Sequence, residues 1–104
     1  MKRAFVLLAA MTIAATGAMA DEVTIRIGQG SIDPAQATIQ AGDTVVFENT
    51  VDAPGGQTVL LDDGSGQSPT LQKDDVWVRA FDDAGSYPYH LKENPEVKGS
   101  ITVQ

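Results

Sequence analysis

The sequence contains no cysteine, and this absence removes two common features of small proteins. No disulfide can form, so the stability of the fold must come from packing. No thiolate is available as a soft metal ligand or as a nucleophile. The three methionines are Met1, Met11 and Met19, and the single histidine is His90. The chain after residue 20 therefore offers one imidazole and no sulfur atom.

Basic residues are also scarce. The 104-residue chain has 7 Lys and Arg against 14 Asp and Glu, which gives a formal net charge of −7. Nucleic acid is not an expected partner, because affinity for phosphates depends on basic side chains. An anionic membrane surface is not expected for the same reason. A basic protein partner is compatible with this charge, since complementary charges speed encounter.

The first segment, MKRAFVLLAAMTIAATGAMA, has the pattern of a secretory signal. Lys2 and Arg3 precede an apolar run, and Ala18-Met19-Ala20 has the small-x-small pattern of a signal peptidase site. The apolar run is shorter than the roughly 20 residues that a membrane span needs. We predict a cleaved signal peptide at 1–20, a periplasmic location and one domain at 21–104, with no membrane span after cleavage.

Short alternating runs between turn residues fill the rest of the chain, and no segment has a long helical period. Val23, Ile25 and Ile27, for example, alternate with polar residues. Asp33-Pro34 and Ala41-Gly42-Asp43 are turn signals between such runs. The pattern predicts an all-β sandwich or barrel of about seven strands. Because parallel strands ordinarily need long connections, we expect antiparallel pairing.

The run DVWVRAF is apolar on both faces of its predicted strand. Trp77 and Phe81 lie on one face, and Val76 and Val78 lie on the other. Two interpretations follow for the valines. Either a neighbouring loop covers them, or they form an interaction surface.

Three stretches carry a family resemblance: PAQATIQAGDTVVFEN, QTVLL and FDDAGSYPYHLKENPEVKGSITV. In this order they resemble the cupredoxins, the small blue copper proteins, and most closely the plastocyanin and amicyanin group. The third stretch is similar to the family's Gly-x-Tyr turn followed by Tyr-x-Cys-x-x-His-Pro-x-Met-x-Gly. The resemblance implies a Greek-key β-sandwich and, in copper-binding members, electron transfer.

The family's type 1 copper site uses two His, one Cys thiolate and a weak axial Met. Carried over residue by residue, the resemblance puts the two His positions at Gln57 and Asn94. It puts the Cys position at Leu91 and the Met position at Val97. Leu and Val cannot coordinate a metal, so we predict no metal site and no cofactor. We expect Leu91 and Val97 to fill the former metal cavity and the Asn94 side chain to cap the loop.

His90 alternates with Tyr89 and Leu91, so it should point away from the former metal cavity. We expect an exposed histidine, and we group it with Val76 and Val78 as a candidate interaction surface. The loop that follows is charged at Lys92, Glu93 and Glu96, where copper members carry an apolar docking patch.

Adjacent aspartates beside turns are interpreted as solvated turn residues rather than calcium ligands or acid–base pairs. There are three such pairs: Asp62-Asp63, Asp74-Asp75 and Asp82-Asp83. We assign no catalytic residue and expect a protein that is not an enzyme.

The predicted function is a periplasmic protein-binding module, alone or as a subunit of a redox assembly. This prediction depends on elimination and on fold analogy, which carries little information about function. One alternative is a copper-binding electron carrier of the plastocyanin and amicyanin type, with copper as its cofactor. Another is a small-molecule binder that uses the pocket near Gln57 and Asn94.

Overall fold

The computed structural model describes residues 21–104, so the predicted signal at 1–20 lies outside the described residues. Eight strands make up the regular structure of this part. They are β1 (Glu22–Gly28), β2 (Ser31–Asp33), β3 (Gln36–Ile39), β4 (Thr44–Asn49), β5 (Val59–Leu61), β6 (Val76–Ala80), β7 (Gly85–Leu91) and β8 (Lys98–Val103). The short β2 is the strand that the sequence pattern did not indicate. Within the same residues there is no helix that could span a membrane.

The strands form two four-stranded sheets, in the orders β2-β1-β4-β6 and β3-β8-β7-β5. Their inner faces pack together around one core, which places the buried side chains at alternate positions along each strand. The predicted all-β sandwich is confirmed.

Two strand pairs are parallel, so the expectation of antiparallel pairing is wrong for them. β1 pairs with β4 in parallel from Glu22↔Thr44 to Ile27↔Asn49, and β3 pairs with β8 in parallel. The chain leaves the first sheet after β2, adds β3 to the second sheet and returns at β4. Strands of the opposite sheet therefore provide the long connection that parallel pairing requires.

Aromatic side chains from the two sheets pack against each other at the centre of the core. Phe47 on β4 meets the ring of Tyr89 on β7 edge to face, with centroids 5.3 Å apart. It also stacks on Trp77 of β6, again at 5.3 Å. Such pairs stabilise a fold by about 0.5–1.5 kcal/mol beyond the area they bury.

Strand β6 forms one edge of the first sheet, with β4 as its neighbour. Phe81 is buried and Trp77 is half-buried, as the alternation predicts. Val76 and Val78 are 51% and 56% exposed, so the interpretation in which a loop covers them is wrong.

Candidate functional site

The candidate site is the loop of residues 92–97, which joins β7 to β8 at one end of the sandwich. This loop lies against the segment that leads into β5. Leu91 pairs with Val59, and the Lys92 N–H donates to the Thr58 carbonyl at 2.9 Å. Gln57 immediately precedes Thr58, so the chain order brings to this end of the fold all four positions that the resemblance assigns to the copper ligands.

Two of these positions have become core. Leu91 is 2% exposed and Val97 is 7% exposed. The Leu91 N–H donates to the Val97 carbonyl at 3.0 Å, and the Val97 N–H donates to the Asn94 carbonyl at 2.9 Å. The loop is thus a closed turn whose two ends present aliphatic side chains to the interior.

Glu93 holds this loop to Thr58 at the start of β5, whereas the expectation from the sequence is that the Asn94 side chain caps the loop. One carboxylate oxygen of Glu93 accepts the Thr58 N–H at 2.7 Å, and the other accepts the Thr58 hydroxyl at 2.7 Å. The Asn94 side chain is exposed and makes no hydrogen bond within the described residues. No local motif marks Glu93 for this role, because its partner lies 35 positions away.

Gln57 is half-buried beside this loop. Its backbone exchanges two hydrogen bonds with Leu71, at 2.8 and 2.7 Å. Its side-chain Oε1 is buried and has no hydrogen-bond partner among the described residues. An unpaired buried acceptor is costly, so this oxygen is a potential contact for a bound donor.

Asn49, the residue that ends β4, links the neighbouring loops and is fully buried. Its Nδ2 donates to the carbonyls of Leu71 at 2.8 Å and Val51 at 3.2 Å. Its Oδ1 accepts the Val51 N–H at 2.9 Å. These bonds fix the Leu71 backbone, which in turn fixes Gln57.

The residues at the former copper positions do not fit a type 1 copper ion. Hydrocarbon side chains occupy the positions of the thiolate and of the thioether, and the sequence has no cysteine to replace them. Among residues 21–104, no group of three or more His, Asp or Glu side chains is arranged to hold a metal ion.

His90 lies on the outer face of the second sheet, between the buried Tyr89 and Leu91. Its side chain is 31% exposed, and its Nδ1 lies 2.6 Å from Oδ1 of Asp62. Val76 and Val78 belong to the first sheet, on the opposite side of the sandwich. The three residues grouped from the sequence therefore do not form one surface.

All six residues of the aspartate pairs are exposed. In the pair beside β5, hydrogen bonds from Ser65, including its N–H at 2.8 Å, lower the pKa of Asp63 below its ordinary value. The aspartates are exposed residues beside turns, as the sequence predicts, although Asp62 also contacts His90.

Burial has its clearest effect on ionisation at Tyr89. Its hydroxyl is buried without a hydrogen-bond partner in the described part of the chain. Burial disfavours the charged phenolate and raises the pKa of Tyr89 well above 10.0.

No family model matches the chain. Relatives with similar sequences are amicyanins. The chain is 26% identical to amicyanin from Paracoccus denitrificans, covering 93% of this chain and 92% of that protein. It is also 26% identical to amicyanin from Paracoccus versutus, covering 88% of this chain and 72% of that protein.

Solved structures show the same similarity. An oxidised methionine-to-leucine mutant of amicyanin superposes with a TM-score of 0.72 at 23% identity, covering 79% of this chain and 81% of the other. A Cu-containing nitrite reductase from Thermus scotoductus matches with a TM-score of 0.73 at 28% identity, over 86% of this chain but 24% of its own.

A purple cupredoxin from Nitrosopumilus maritimus matches with a TM-score of 0.69 at 25% identity, over 79% of this chain and 99% of its own. These neighbours show that the chain is similar to the cupredoxins in fold. The similarity to the plastocyanin and amicyanin group that the sequence predicts is confirmed, and the relatives reported above are amicyanins.

Proposed function

We propose that this protein is a periplasmic cupredoxin-like module that binds another protein and works without copper. The observation that supports this most strongly is the burial of Leu91 at the position that corresponds to the copper thiolate. Without that thiolate the electronic structure of a blue copper site is lost, together with the main ligand for cuprous ion.

Packing and hydrogen bonding can hold the loop without a metal ion. Burying the Leu91 and Val97 side chains is worth about 1.5–3 kcal/mol each. The Glu93 carboxylate adds two hydrogen bonds that join the loop to Thr58, and bonds to a charged group contribute about 1.5–3 kcal/mol each. These contacts leave the loop held without a metal ion between its two ends.

Electron transfer of the amicyanin type is the main alternative, and it requires bound copper. The relationship to a Cu-containing nitrite reductase covers 24% of that enzyme, so its activity does not transfer to this chain. That this protein is not an enzyme remains a prediction.

Small-molecule binding is a second candidate function, and the buried Oε1 of Gln57 favours it. A ligand that donates a hydrogen bond to this atom would stabilise the fold in proportion to its occupancy. A rise in melting temperature with a small amide or alcohol, lost in Gln57→Leu, would support this candidate over a purely protein-binding role.

Two measurements on the exported protein test the proposal. Metal analysis after dialysis against Cu(II), and against Cu(I) under reducing conditions, should give substoichiometric copper and no visible charge-transfer band. Chemical cross-linking in intact cells should repeatedly capture the same partner protein. One copper per chain with reversible reduction would overturn the proposal, as would a chain that yields no cross-linked partner.

A further inference from the structure

Strand β6 has a free edge, and the hydrogen bonds at its two ends define which residues face that edge. The Asn49 N–H donates to the Asp75 carbonyl at 3.0 Å, and the Phe81 N–H donates to the Asp43 carbonyl at 3.0 Å. Backbone groups alternate in direction along a strand. The backbone N–H and C=O groups of Asp75 and Phe81 face β4. The backbone groups of the alternate residues Val76, Val78 and Ala80 therefore face outward.

The same three residues present their side chains on the outer face of the sheet, where all three are exposed. Val78 lies directly opposite Val46 of β4, which extends the apolar surface by one strand. Free backbone groups and exposed β-branched side chains therefore coincide on one edge. Natural proteins usually protect such an edge with Lys, Pro or a bulge.

Acidic residues stand at both ends of this apolar edge. Asp74 and Asp75 precede β6, and Asp82 and Asp83 follow Phe81; all four are exposed. Lys73 adjoins the first pair, while Arg26 on the same sheet is engaged by Glu48 at 3.4 Å. Arg79 of β6 is half-buried on the opposite face, with its guanidinium over the ring of Phe81 at 5.2 Å. The outer face of the edge is thus apolar between two negative ends.

This charge pattern opposes pairing with a second copy of the chain. In an antiparallel pair of two β6 strands centred on Val78, the Asp74-Asp75 end of one copy adjoins the Asp82-Asp83 end of the other, and Lys73 offsets only one of these negative charges. A parallel pair also brings like charges together at both ends. Like charges directly opposite each other destabilise strand pairing.

We propose that the β6 edge, defined as Val76–Ala80 with the flanking aspartate pairs, binds an extended apolar segment of a partner protein that has basic residues at both ends. The partner adds a strand beside β6, through the outward groups of Val76, Val78 and Ala80. Strand addition of this kind obtains affinity from backbone hydrogen bonds and specificity from side chains. The rise of about 3.3 Å per residue separates Asp75 from Asp82 by roughly 23 Å, so the partner's basic groups should be about seven positions apart.

This inference rests on the proposed protein-binding function and names the chemistry of the partner. The net charge of −7 agrees with a basic partner. Opposite charges at the two ends also fix the register of the added strand, because a shifted segment loses one of the two contacts.

The test uses the protein purified after export and an acetylated, amidated peptide, Lys-Arg-Val-Thr-Val-Thr-Val-Arg-Lys, with a fluorescent label. Anisotropy should show saturable binding that weakens with salt. Amide exchange of Val76, Val78 and Ala80 should slow when the peptide is bound. A peptide with Glu in place of each basic residue should bind at least tenfold more weakly.

Variants separate the edge from the rest of the surface. Val78→Pro removes one outward N–H without breaking the bonds to β4 and should weaken binding at least tenfold. Val78→Lys keeps the backbone intact and should have a similar effect, which covers the case in which the proline variant does not fold. Combined Asp74→Asn, Asp82→Asn and Asp83→Asn should weaken binding severalfold.

A matched control with Asp33→Asn and Glu96→Gln changes charge elsewhere and should alter binding less than twofold. Equal binding of the acidic peptide, unchanged affinity in a folded Val78→Lys variant, or no binding at all would overturn the inference. So would a dimer that Val78→Lys dissociates, since the edge would then serve a second copy. None of these outcomes affects the copper measurements, so the proposed function stands or falls separately.

Discussion

The carboxylate of Glu93 accepts hydrogen bonds from both donors of Thr58, the backbone N–H and the hydroxyl, each at 2.7 Å. Thr58 leads into β5 and Glu93 lies in the loop after β7, so this contact fastens the loop to the neighbouring strand. Glu93→Ala leaves the N–H of Thr58, which is 3% exposed, without its partner. We expect a loss of about 1–3 kcal/mol in the free energy of unfolding, measured by urea denaturation.

Glu96→Ala is the matched control for this variant. Glu96 lies in the same loop and is exposed, and its side chain makes no hydrogen bond to the described residues. Its removal should change the free energy of unfolding by less than about 0.5 kcal/mol. Equal losses in the two variants would show that the Glu93 contact does not hold the loop.

The buried hydroxyl of Tyr89 gives a prediction for alkaline pH. Because burial raises the pKa of Tyr89 above 10.0 in the folded protein, the unfolded chain releases this proton first. The stabilising contribution is complete below pH 10 and is lost as the pH rises toward the folded-state pKa. Stability should fall in this range by up to about 1.4 kcal/mol per pH unit from this group.

Tyr89→Phe removes both the titrating group and an unpaired buried hydroxyl. Its stability at neutral pH should equal or exceed that of the native chain, because an unpaired buried hydroxyl opposes folding. The alkaline loss should become shallower in denaturant titrations between pH 9 and pH 11, a range chosen about the usual tyrosine pKa of about 10. Tyr87→Phe is the control and should keep the steeper loss. An identical alkaline profile in Tyr89→Phe would contradict the prediction.

Much of the fold could be predicted from local patterns, because alternation and turn residues act over a few positions. The inward orientation of Leu91 and the outward orientation of His90 both follow from the period of two in β7. The same period puts Val76 and Val78 on the face opposite Trp77. What alternation does not give is the sheet to which each strand belongs, and for this reason His90 and the valines were wrongly placed together.

The features that escaped sequence reasoning depend on contacts between distant parts of the chain. The parallel pairing of β1 with β4 arises because β3 lies in the other sheet, which no local signal reveals. The role of Glu93 depends on Thr58 lying beside it. Asn94 is the more usual turn-capping residue, so propensity alone favoured the wrong neighbour.

A substitution at Gly99 on β8 tests the packing around the buried hydroxyl of Tyr89. A Cβ at this position would lie 2.6 Å from the carbonyl oxygen of Ala35 and 2.6 Å from the hydroxyl of Tyr89. Since the first of these atoms is backbone, Gly99→Ala should destabilise the fold by about 1–3 kcal/mol through overpacking. Adding Tyr89→Phe should recover part of this loss and leave the part that Ala35 causes.

Gly28→Ala is the comparison for Gly99, since the nearest atom to its Cβ is the side-chain oxygen of Ser31 at 3.1 Å. That hydroxyl can rotate away, so thermal unfolding should show a much smaller change. A Gly99→Ala variant as stable as Gly28→Ala would contradict the proposed clash.

Restoring the four ligand types tests how the loop corresponds to a copper site. The variant combines Gln57→His, Leu91→Cys, Asn94→His and Val97→Met. Leu91 and Val97 both point into the core and their backbones are joined at 3.0 Å, so the new sulfur ligands would share one cavity. With two imidazoles and a thiolate, the variant should bind one Cu(II) and develop a visible charge-transfer absorption.

The same variant without Leu91→Cys is the matched control, and it should lack the visible absorption because the thiolate is its source. Without metal, the restored variant should unfold more easily than the native chain, since cysteine fills less of the space that Leu91 occupies. Added copper should then raise its melting temperature, because the ion binds the folded state. A restored variant that is folded by circular dichroism but takes up no copper would show that at least one of the four positions is wrongly assigned. Gln57 would be the first candidate, because it is half-buried and approaches the loop from a separate segment.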